Sequence, residues 1–266
     1  MKKIYLFIKS IEDLGVNILI FINAIGKSLL FLLSIVPYVI NIFKSSKSLI
    51  KQIYFIGFLS LGLIIVSGLF IGMVVGLQSY SIIEKFGTEE IIGQMTSLSI
   101  IRELGPVVSA ILFVGRTGTS LTAELCLMKS TDQLSSMEMM GISYLEKVVM
   151  PKFLSGLICM FFLTVIFIIV AIAGSYFATV MWFNMDHDIF WNSVKNNVDF
   201  KIDILNGLIK SLVFGFIVMW ISLFQGLNSV GTVEGISKAT TNTVVYSTFI
   251  ILCLNFFLTA LMFAWK

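Results

Sequence analysis

The sequence predicts an all-α integral membrane protein of about five transmembrane helices, preceded by an amino-terminal interfacial or re-entrant helical segment. Hydrophobic residues make up 58% of the chain and charged ones 12%, and the mean hydropathy is +1.00, which leaves too little polar surface for a soluble domain. Apolar runs of the roughly 20 residues a helix needs to cross hydrocarbon recur along the chain. The lysines gather at the ends of those runs, and a net charge of +3 is too small to argue for a nucleic-acid partner.

The first apolar run, 16–43, contains Lys27 and Pro37 and lies between Lys2, Lys3 and Lys9 on one side and Lys44, Lys47 and Lys51 on the other. Short lysine-rich loops stay cytoplasmic, so equal positive flanks predict a hairpin with both ends inside rather than a sixth span. The run is too long for a cleaved signal peptide, and no small-residue cleavage site follows it. Spans are expected at about 56–77, 96–123, 153–181, 207–224 and 244–264. With the amino terminus inside, the acid-bearing loops 78–95 and 182–206 fall outside, and the lysine-bearing loops 124–152 and 225–243 fall inside. The carboxyl terminus is then outside. Trp182 and Trp265 are expected at membrane interfaces, where amphipathic rings are favoured. Residues 1–52 read as an amino-terminal elbow, and 53–266 as one transmembrane domain.

Cys126, Cys159 and Cys253 are far apart in apolar surroundings and read as small buried hydrophobes. A single histidine, His187, rules out a multi-histidine metal site, and no metal ligands are expected.

Three stretches carry chemistry. Gly68, Gly72 and Gly76 recur every four residues on one helical face, where backbones can approach closely, for packing within the subunit, for a contact between protomers or for a lipid-lined groove. In "SIIRELGPVVSA", residues 99–110, Arg102 and Glu103 precede Pro106, which has no N–H for the carbonyl of residue 102, so the helix is expected to open there. A mid-bilayer arginine costs at least about 2.5 kcal/mol on insertion scales, so Arg102 and Glu103 either pair with neighbouring helices or line a path for a polar head group. The other arginine, Arg116, is about 21 Å further along an ideal helix and within about 40° on its surface. In "KSTDQLSSMEMMGISYLEKVVMP", residues 129–151, Ser130 and Gln133 have capping-box spacing and Gly141 can end a short helix. Its Leu134 and Met137 face either a cytoplasmic partner or the bundle itself.

No G-x-x-x-x-G-K-[ST] loop, H-E-x-x-H or G-x-S-x-G pattern occurs, so the chain is not expected to hydrolyse nucleotide or act as an intramembrane enzyme. A proton-coupled carrier using Glu103, or a scaffold for partners, are the rival classes. The first would follow a pH gradient without ATP, whereas an ATP-driven transporter demands a co-purifying ATPase.

The stretches "SGLFIGMVVGLQSY", "LSIIRELGPVVSAILFVGRTGTSLTAELCLMKSTDQLSSMEMM" and "GISKATTNTVVYS" resemble the MlaE (DUF140) family of ABC transporter permeases, and the likeness runs from about residue 45 onward. The resemblance implies a homodimeric permease in the inner membrane of a Gram-negative bacterium, moving phospholipid between inner and outer membranes to keep outer-membrane lipid asymmetry. It implies an ABC ATPase (MlaF) that binds ATP and Mg, a STAS-domain protein (MlaB) and an MCE-domain protein (MlaD), with no cofactor on this chain. It places Gln78, Tyr80, Phe86, Arg102 and Glu103 around a lipid pocket between two copies. Gly68, Gly72, Gly76, Pro106 and Arg116 are the candidate pathway or structural positions. Residues 131–140 resemble the family's coupling helix, so that Thr131, Asp132, Gln133, Leu134, Met137 and Glu138 would meet the ATPase. Asp132 stands where the family pattern has glutamate, and Phe86 where it has tyrosine.

Overall fold

The computed structural model describes Gly15, Leu19 and residues 22–39, 46–86 and 91–263. Among the described residues, five helices are long and apolar enough to cross a membrane: α2 (Lys47–Ile83), α3 (Ile92–Ser130), α5 (Leu145–Trp182), α7 (Lys201–Asn228) and α8 (Val233–Phe263). Three others are shorter: α1 (Ile22–Tyr38), α4 (Gln133–Met139) and α6 (His187–Asn197). No strand occurs among the described residues.

The core forms where α3, α5 and α7 converge on Phe113, Phe167, Phe214, Met160 and Met219, all fully buried. α7 is the central helix and α8 a peripheral one, with 56% and 11% of their most apolar stretches buried. Cys126 and Cys159 are buried as expected, whereas Cys253 is exposed because it lies on peripheral α8.

The small-residue stripe of α2 packs within the subunit. A Cβ on Gly72 would run into the Ala171 carbonyl of α5, and one on Gly76 would lie 2.9 Å from the Ser175 carbonyl. Gly174 answers from α5, where a Cβ would sit 2.5 Å from the Leu69 carbonyl. The two backbones touch directly, as a four-residue spacing of small residues permits.

The connections gather at the two ends as the charge pattern anticipates. At one end α6 begins with Asp186 accepting from the Asp188 N–H at 2.9 Å, an N-cap, and Gln94 N–H donates to Ser193 Oγ at 3.1 Å. Phe190 is buried there with Tyr80, Ile83, Ile92 and Met185. At the other end Lys129 Nζ donates to the carbonyls of Leu227 and Ser229, each at 2.8 Å, and buried Lys152 pairs with Glu124.

α1 is shorter than the five spanning helices and docks on α7: Trp220 Nε1 donates to the Ser28 carbonyl at 3.0 Å, and Phe31 lies 6.0 Å from Phe224. Residues 40–45, where a hairpin would turn, lie outside the described residues, as does Trp265. Trp182 is exposed at the end of α5.

Candidate functional site

Two wide π turns interrupt α3, at Ile100–Leu104 and Val114–Gly118, and each carries one of the two arginines. π turns place an extra residue in the coil and are frequent at functional sites. They also rephase the helix, so the 40° alignment expected of an ideal coil does not hold. Arg102 faces α7, and Arg116 faces α2.

The first π turn follows from Pro106. Gly105 N–H reaches back to the Ile100 carbonyl, and the Arg102 carbonyl, which Pro106 cannot serve, accepts from Lys210 Nζ at 2.9 Å. Lys210 comes from α7 and is fully buried. Its ammonium also meets Glu103 Oε1 at 3.1 Å and donates to Thr259 Oγ1 of α8 at 2.8 Å. Glu103 takes a further bond at Oε2 from Asn255 Nδ2, 2.8 Å, and Thr259 Oγ1 lies 2.9 Å from Oε1. Gly207 makes this convergence possible, since a Cβ there would be 2.5 Å from the Ile101 carbonyl.

Arg102 is held by α7 as well. Its Nε and Nη2 both reach Asp203 Oδ1, at 2.7 and 2.6 Å, and Asp203 Oδ2 accepts the Asp199 N–H at 2.8 Å. Asp203 is 1% exposed and sits on a π turn of its own, Phe200–Ile204. Two acids and two bases therefore neutralise one another across α3, α7 and α8. Glu103 and Arg102 keep about a third of their side chains exposed, 37% and 34%, so the cluster has an open rim.

The other expected pocket residues come from α2 and the turn that follows it. Tyr80 is buried and stacks on Phe183, with ring centroids 4.1 Å apart, whereas Gln78 is exposed. Phe86 ends the short turn Glu84–Phe86, and its side chain lies outside the described residues. Arg116 Nη1 donates to Ser60 Oγ at 2.7 Å and to the Ile56 carbonyl at 3.3 Å.

α4 exists as expected, but its start is not a capping box. Asp132 occupies the left-handed region at φ 54° without a side-chain cap, and Ser130 Oγ donates to the Leu127 carbonyl instead. Its end is as anticipated: Gly141 at φ 73° closes a Schellman motif, with Gly141 N–H on Glu138 O and Ile142 N–H on Met137 O. Leu134 is buried in the chain and Met137 half-buried, while Thr131, Asp132, Gln133, Glu138, Met139 and Met140 are exposed.

Sequence reading missed Lys210, Asp203, Asn255 and Thr259. The signal for Lys210 was present, since a lysine inside an apolar span is as costly as an arginine and calls for a partner.

The family profile described as Permease MlaE matches residues 49–261. A Haemophilus influenzae protein named "Intermembrane phospholipid transport system permease protein MlaE" is 44% identical over 258 residues, 97% of this chain and 99% of its own. The chain belongs to the MlaE permease family. Other relatives of this MlaE-family chain are a Rickettsia bellii "Probable ABC transporter permease protein", 33% identical over 91% of this chain and 93% of its own, and a Synechocystis protein of like name. The latter is 32% identical over 82% of each.

Proposed function

We propose that this chain is the permease subunit of an ABC transporter that moves phospholipid between the inner and outer membranes, working as a homodimer in the inner membrane of a Gram-negative bacterium. The observation that carries this reading is the end-to-end likeness to a named phospholipid permease, 44% identical over 97% of the chain. Five spanning helices and a charged, open-rimmed cluster between α3, α7 and α8 fit it. The lipid pocket lies where two copies meet and is lined by Gln78, Tyr80, Phe86, Arg102 and Glu103. Arg102 enters that pocket as an ion pair with Asp203 rather than as a bare charge.

ATP is hydrolysed with Mg on a separate ABC ATPase (MlaF), since this sequence has no phosphate-binding loop. An MCE-domain subunit (MlaD) and a STAS-domain subunit (MlaB) complete the assembly. Residues 131–140 couple the two proteins. Because Leu134 is committed to its own chain, Met139 and Met140, 83% and 67% exposed, supply the apolar contact to the ATPase. The end bearing α4 is cytoplasmic, and the end bearing α6 faces outward. No observation supports a proton-coupled carrier or a passive scaffold.

Purification of the native complex tests this reading. The ATPase and phospholipid should co-purify with the chain, and changing both Met139 and Met140 to aspartate should abolish ATPase binding while membrane insertion persists. A chain that transports phospholipid with no ATPase present would reject the proposal.

A further inference from the structure

The two arginines of α3 differ in which edge of the guanidinium is engaged. In Arg102 the Nε and Nη2 edge, the one that grips an oxyanion side-on, is taken by Asp203. In Arg116 only Nη1 is engaged, by the Ser60 hydroxyl and the Ile56 carbonyl, both neutral acceptors. Its Nε and Nη2 edge makes no hydrogen bond to a described residue, and no carboxylate lies within ion-pair distance of it among the described residues.

Among the described residues, no acid of another spanning helix lies beyond that helix's first turn. α2 has none, and α5, α7 and α8 carry theirs near their starts, at Glu146, Asp203 and Glu234. Glu124 of α3 is taken by Lys152. A cation within a spanning helix faces a wet cavity or an anion. One turn after Arg116, Ser120 lines an open groove of about 400 Å³ between α3 and α8, where Thr119, Thr240 and Thr241 supply further hydroxyls beside apolar Ala123 and Val244.

We propose that Arg116 holds the phosphate of a phospholipid by its free side-on edge, at a second station along α3 some 21 Å from Arg102 (14 residues at about 1.5 Å each). This rests on the phospholipid reading above and adds to it a binding residue outside the pocket between copies. The ligand is an intact phospholipid: its phosphate takes the fork and its glycerol and ester groups enter the hydroxyl-lined groove.

A photo-crosslinking amino acid at Ser120 of the full chain, irradiated in vesicles of phosphatidylethanolamine and phosphatidylglycerol with radiolabelled phosphate, tests this directly. Wild-type Arg116 should give labelled protein, and excess diacylglycerol, which lacks the phosphate, should not compete. Arg116→Gln should cut labelling about tenfold, the worth of one charge-assisted fork. Arg116→Lys keeps the charge but not the fork and should label severalfold less than wild type, and it decides the matter if the glutamine variant fails to accumulate. Labelling unchanged in either well-accumulated variant, or crosslinks to a second protein copy in place of lipid, overturns the inference. Phospholipid that co-purifies with the complex while Ser120 stays unlabelled does the same and leaves the transport reading intact. Failure of any phospholipid to bind the complex refutes the transport reading itself.

Discussion

Arg102 and Arg116 occupy the same kind of backbone feature in the same helix, yet the molecule treats them differently. Around Arg102 the compensation is internal: Asp203 takes the guanidinium, Lys210 takes Glu103, and three helices are tied at one level. Around Arg116 the partners are a hydroxyl and a carbonyl, so the positive charge is solvated but not cancelled. A charge whose counterion lies on a neighbouring helix is part of the architecture. A charge left over in a spanning helix is available to something that arrives.

Four substitutions can break or sharpen that contrast. Lys210→Met should have the largest effect, because it leaves Glu103 and the Arg102 carbonyl without their shared donor. Breaking a fully buried pair costs about 3–5 kcal/mol, and partial exposure of Glu103 puts the expected loss near 3. Thermal aggregation of the detergent-solubilised chain measures it, and Lys210→Met with Glu103→Gln should recover part of the loss. An unchanged midpoint for the single variant would show that the cluster does not hold the bundle. Arg102→Ala should come next, at about 2 kcal/mol, since it strands the buried Asp203 carboxylate. Arg116→Ala, with no acid to strand, should cost clearly less. Equal losses at the two arginines would erase the distinction between them. Gly207→Ala should be the mildest, about 1 kcal/mol, by pressing α7 away from the Ile101 carbonyl and loosening Lys210 from its acceptors. The same midpoint assay, with no shift at all, would mean that the helices yield there without strain.

The sequence made the five spans and the opening of α3 at Pro106 readable, because long apolar runs and a missing N–H act locally. It also marked Arg102, Glu103, Gly141 and the glycine stripe. The partners were harder to see. Lys210 was hidden by the apolar residues around it, which carry a window average over any single charge. Asp203 reads as a loop acid until α7 is seen to begin at Lys201. Asn255 and Thr259 look unremarkable until α8 is placed beside Glu103. The two π turns cannot be seen in a pattern that assumes 3.6 residues per turn, and they decide which neighbour each arginine faces.

The charged cluster also has a consequence for how the chain is made. Glu103 leaves the ribosome 107 residues ahead of Lys210 and 152 ahead of Asn255, and Arg102 precedes Asp203 by 101. For that interval α3 enters the bilayer with its charges unanswered, each costing about 2.5–3.5 kcal/mol at a helix centre. α3 is also the least apolar of the five spans, with a hydropathy of 1.7 against 3.0 for α5. α3 is therefore the span whose hold on the bilayer depends most on helices made after it.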